Sequence, residues 1–189
     1  MLEADMLKKI SNFIYSKSSG WAALAALVIF AVFIGVILPG QAQKAERYSG
    51  EVGSPDTSFF YTPADLYRMA ESYGAEGRAA YVRARFTFDV VWPLAYLFFL
   101  AASISWVLNR AVSADSRWRL LNLFPLVGAV FDYLENISAA LVMGRYPDPT
   151  PVVDMLAPLF TAVKWIFVNG SFVVLLAGLA LLALRRGKR

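Results

Sequence analysis

Long unbroken apolar runs set the pattern of this chain, with polar positions gathered between them. The first run, WAALAALVIFAVFIGVILP, covers 21–39 without a single charge. Three more follow at about 86–108, 120–143 and 158–184. Each reaches or approaches the ~20 residues that a helix needs to cross a hydrocarbon layer of ~30 Å. The predicted fold is therefore an all-α membrane protein, a four-transmembrane-helix bundle forming one integral domain over 1–189. The residues after the first run, Gly40 and Ala42, resemble a cleavage site for a leader. The run is longer than a leader's apolar core, so an uncleaved first helix is expected.

The long extracytoplasmic loop, 40–85, opens with the polar stretch SGEVGSPDTS, whose glycines and proline predict a flexible segment. FFYTPADLYRMAESYG follows. There Thr62 reads as a helix N-cap, Pro63 as the first helical residue, Asp65 as a match to the positive helix end and Gly74 as the stop. Leu66, Tyr67, Met69, Ala70 and Tyr73 share one face, which predicts a short interfacial helix along the outer membrane surface. Both a cap over the bundle and a ligand-gating lid fit that helix. In the N-terminal tail Leu2, Met6, Ile10, Phe13 and Ile14 also follow helical spacing, with Lys8, Lys9 and Lys17 available to anionic head groups.

Charge orients the spans. Basic residues collect in the N-terminal tail, in the loop holding Arg110, Arg117 and Arg119, and in the C-terminal RRGKR. The loop between the third and fourth spans has only Arg145, against Asp148 and Asp154. The positive-inside rule then places both termini in the cytoplasm, and a plasma (inner) membrane is the expected location. The composition agrees, at 58% hydrophobic and 17% charged residues. Cysteine and histidine are both absent, which removes disulfides, thiol chemistry, histidine-held metals and a histidine base. No cofactor motif or nucleic-acid patch is present, and no standard metal spacing. Membrane lipids are the expected partners, and the sequence leaves the oligomeric state open.

Polar residues inside the spans are the candidate chemistry. Asp132, Glu135 and Asn136 fall at i, i+3 and i+4 on one face of the third span, flanked by small residues that let neighbouring helices approach. Counted inward from the outer boundary, Asn136, Glu135 and Asp132 lie at about 10, 12 and 16 Å. Lys164 and Asn169 of the fourth span lie at about 9 and 16 Å, and Asp89 of the second at about 5 Å. These six are the expected ligand-binding residues, in a pocket opening outward. Arg85, Trp92, Tyr133 and Trp165 are expected to line it, and Pro93 should kink the second span, freeing a carbonyl near Asp89. An unpaired charge at mid-membrane costs at least ~2.5–3.5 kcal/mol, so pairing of Lys164 with Glu135 or Asp132, and of Arg85 with Asp89, is expected. Three carboxylates then face two cations.

Three functions fit this cluster: a site for a small amphipathic or cationic ligand, with or without transport; a membrane-embedded enzyme using carboxylates as acid and base on a lipid or sterol-like substrate; and a structural ion-pair network in an assembly subunit. The four spans, Asp89 followed by Trp92 and Pro93, and Asp132 with Glu135 resemble the EXPERA-type group of sterol isomerases and sigma-2 receptors. That resemblance implies cytoplasmic termini and buried acids facing a sterol-like ligand. Lys164 in the fourth span departs from it.

Overall fold

The computed structural model describes residues 2–186, and side chains over 5–185. They form eight α-helices with short 3-10 turns and no strand among the described residues: α1 Leu2–Lys17, α2 Gly20–Val32, α3 Leu38–Ser49, α4 Pro63–Ser72, α5 Gly74–Arg85, α6 Phe88–Ala111, α7 Phe124–Arg145 and α8 Val153–Arg186. Among the described residues four helical stretches are long and apolar enough to cross a membrane: Gly20–Val52, Phe88–Ala111, Arg117–Arg145 and Val153–Arg185. The chain divides into two compact units, one made of 1–31, 95–128 and 166–189, the other of 32–94 and 129–165.

In the first unit Leu100, Ile104, Val107 and Leu108 form the buried centre. Gly178 lets α8 approach closely, since a Cβ there would lie 2.8 Å from Val107 Cγ1. Phe30 stacks on Phe99 at 4.6 Å between ring centres. The N-terminal helix is tied down by polar bonds: the buried Ser11 hydroxyl donates to Asn122 Oδ1 (2.8 Å), and Asn122 Nδ2 donates to Ser105 Oγ (3.1 Å). Met6 and Phe13 remain exposed on α1.

In the second unit helix α3 continues the first apolar run well past Pro39, where the sequence predicted a loop. Proline lacks the N–H that Gly35 O would accept. A π-turn at Phe33–Ile37, closed by the Leu38 N–H on Phe33 O, absorbs that defect and helix resumes. Gln41 to Arg47 contains mostly good helix formers, which sustains it.

The stretch expected to be flexible is instead held by its own polar groups. Gly50 and Gly53 take φ of +48° and +74°, which only glycine adopts cheaply. Pro55–Thr57 forms a 3-10 turn, closed by the Ser58 N–H on Pro55 O. The Tyr73 hydroxyl donates to Gly53 O at 2.7 Å. The cap at Thr62 forms as expected: Asp65 N–H donates to its hydroxyl, while Thr62 N–H donates back to the Asp65 carboxylate at 2.9 Å. These bonds hold the Asp65 carboxyl below its ordinary range. Gly74, φ +63°, ends α4, and a second helix, α5, starts at once where none was predicted. The apolar face of α4 does not look outward. Leu66, Met69 and Ala70 are buried in protein, clustered with Tyr81 of α5, Val142 and Met143 of α7 and Ala157 of α8.

Candidate functional site

Each wall of the site is one buried helical stripe within the second unit. On α5, Gly77, Tyr81 and Arg85 recur every four residues, and all three are buried. On α7, Asp132, Glu135, Asn136 and Ala139 share a face. On α8, Ala157, Thr161 and Lys164 do the same. Arg85 closes the last turn of α5 and Asp89 opens the first turn of α6, so each carries the sign that suits its helix end. The two helices break at Phe86–Thr87, and the ion pair crosses that break rather than one continuous turn.

A continuous ladder of contacts results. Arg85 Nη1 contacts Asp56 Oδ1, and Nη2 lies 2.8 Å from Asp89 Oδ2. The same Nη1 donates a long hydrogen bond, 3.4 Å, to Asn136 Oδ1. Asn136 Nδ2 donates to Asp132 Oδ1 at 3.2 Å. Lys164 Nζ is 4.0 Å from that Oδ1 and in direct contact with Glu135 Oε2. Burial is nearly complete, with Glu135 at 0% and Lys164 at 5% exposure. Glu135 Oε1 has no hydrogen-bond partner among the described residues.

Tyrosines and tryptophan frame the ladder. The Tyr81 hydroxyl donates to Asp56 Oδ1 at 3.1 Å, and its ring lies 4.5 Å beneath the Arg85 guanidinium. Burial, then the charge of Asp56, pushes the Tyr81 hydroxyl well above its ordinary range. For Arg85 burial alone would lower the pKa. The surrounding Asp56, Tyr81, Asp89 and Glu135 outweigh it and raise the guanidinium further, so Arg85 stays charged. Lys164 Nζ sits 5.0 Å from the Trp165 ring, whose Nε1–H donates to Ser58 O at 3.1 Å. The Tyr61 hydroxyl, 3.1 Å from Thr161 Oγ1, is also raised by burial.

Most expected site residues meet here. Asp89, Asp132, Glu135, Asn136, Lys164, Arg85 and Trp165 belong to the ladder or touch it. Tyr133 instead donates its hydroxyl to Val90 O at 2.8 Å, beside the Pro93 defect. Trp92 is half-buried and stacks near Phe88. Asn169 is not brought into the ladder: it falls in the first unit, at an exposed position of α8. Sequence reasoning missed Asp56, because it assigned that stretch to a flexible loop. The signal available was Tyr61 downstream, an aromatic type that is often largely buried.

Asp56 changes the charge count. Among the described residues Asp56, Asp89, Asp132 and Glu135 share two cations, Arg85 and Lys164, and of the four acids Asp56 is part-exposed. Among the described residues no three acids are grouped so as to hold a metal ion. The chain matches no family model, no curated protein and no solved structure, so the EXPERA resemblance gains no support and the site rests on its own geometry.

Proposed function

We propose that this chain is an integral protein of a plasma (inner) membrane, with both termini cytoplasmic and α4 at the outer interface. In this reading the ladder from Asp56 to Glu135 is a binding site for a small monovalent cation, the proton included, and serves its transport. Exposure of Trp21, Leu24, Val28, Ile29 and Val36 along the first apolar helix supports the membrane setting, because lipid would cover what protein does not. The observation that carries the site is the excess of three buried carboxyl groups, Asp89, Asp132 and Glu135, over two buried cations, with the part-exposed Asp56 adding a fourth acid at the rim. Surplus buried negative charge is costly, and a proton or small cation from outside would balance it. Direct side-chain contacts along the ladder favour an ion over a larger amphiphile.

A structural network is the second reading, favoured by the fact that every charged residue of the ladder touches an opposite charge. Thermal unfolding of the purified protein across sodium, potassium, ammonium and bulky N-methylglucamine salts, at constant ionic strength and several pH values, separates the two. The proposal expects stabilisation by one small cation or by protons, abolished in Glu135→Gln. Equal response to every salt with no pH dependence would leave only the structural network.

A further inference from the structure

A second face of α5, distinct from the Gly77–Tyr81–Arg85 stripe, takes no part in the ion ladder. There Arg78, Val82 and Arg83 meet Met143 and Gly144 of α7 and Tyr146, just beyond its end, around a groove of about 420 Å³. Its floor is apolar, and no carboxylate lines it. Arg78 is held in place, with Nη1 donating to Ala70 O at 2.9 Å and its guanidinium 4.8 Å from the Tyr146 ring centre. Arg83 is exposed, and neither arginine has an acidic partner among the described residues. Gly144 leaves the groove open: a Cβ there would make only ordinary contact, 3.8 Å from Val82 Cγ2.

We infer that this groove binds one anionic phospholipid, its phosphate on Arg78 and Arg83 and the start of its acyl chain over Ala79 and Val82. Guanidinium groups match phosphate oxygens in pairs, and a fixed one loses less freedom on binding. The groove flanks the C-terminal end of α7, which is where head groups lie if that helix spans a membrane, so the inference rests on the membrane reading. It does not rest on the cation site.

The test uses the full chain in neutral detergent, with thermal shift and native mass spectrometry against short-chain phosphatidylglycerol, phosphatidylcholine and inorganic phosphate. Phosphatidylglycerol should stabilise the parent, with phosphatidylcholine and inorganic phosphate much weaker. Arg83→Gln should weaken the apparent affinity about fivefold, in line with one basic residue near an anionic lipid surface. Gly144→Leu, which fills the groove from a position with room, should abolish the bound lipid while the cation response at Glu135 persists. Equal binding of both lipids, an equal shift with inorganic phosphate, or unchanged lipid binding in Gly144→Leu would overturn the inference. Loss of the Glu135 cation response with lipid binding intact would overturn the cation site alone.

Discussion

Replacing Lys164 by methionine removes the cation that touches Glu135, while keeping most of the side-chain volume. Glu135 is fully buried, so the change leaves a carboxylate with no solvent and no partner charge. Removing one member of a buried pair typically costs about 3–5 kcal/mol, mainly as the penalty of the stranded charge. Lys164 also lies 4.0 Å from Asp132, which places this variant toward the upper part of that range. Adding Glu135→Gln removes the stranded charge, so the double variant should recover most of the loss, with a coupling of about 2–3 kcal/mol. Reversible unfolding in mixed micelles, followed by far-ultraviolet circular dichroism, reads these values. The loss in Lys164→Met should also shrink as pH falls, because a proton on Glu135 replaces the missing cation. Additive single changes, or a loss below about 1 kcal/mol, would refute the pairing argument.

Thr62→Ala removes one half of the reciprocal cap on α4 and should cost about 1 kcal/mol in the same unfolding assay. The Asp65 carboxyl is lowered by that cap, so its contribution is complete above the ordinary carboxyl range. It should fade as pH falls through the lowered value, and a stability–pH curve of Asp65→Asn should lack that acid limb. Gly77→Ala would place a Cβ 2.7 Å from Tyr48 Cβ, and a cost of about 1–3 kcal/mol is expected; a neutral result would mean that α3 and α5 can separate freely. Burial pushes the Tyr73 hydroxyl up to about 12, so the folded state holds this proton longer than the unfolded chain. Stability should therefore be full below pH ~10 and fall by about 2 kcal/mol at most as pH rises to 12, solvent screening included, with Tyr73→Phe removing that share.

The apolar helices were legible because a run such as 21–39 has a length that physics ties to one purpose. The pairs Lys164–Glu135 and Arg85–Asp89 were legible too, since burial forces opposite charges together; common depth put the first in reach, while the second formed across a helix break rather than the expected turn. What the sequence hid depended on tertiary context. Asp56 looked like part of a polar loop, because the partners that fold the loop, Tyr73, Tyr81 and Arg85, lie 17 to 29 positions later. Pro39 looked like a helix end, because a π-turn is a backbone adjustment with no residue signature. The apolar face of α4 read correctly as a face, but periodicity does not say whether lipid or protein covers it. Asn169 was assigned by depth alone, and depth leaves the direction around the helix axis open.

Infrared difference spectroscopy of the carboxyl groups tests the central claim most directly. Three buried carboxyl groups that share two cations cannot all remain ionised without a proton or a further cation. In a small-cation-free sample at neutral pH the account predicts a protonated carboxylic acid band, weakened in Glu135→Gln. Adding the stabilising cation should convert that band to carboxylate, with protons released to the medium. A spectrum with carboxylate bands only, unchanged by cations or by Glu135→Gln, would contradict it.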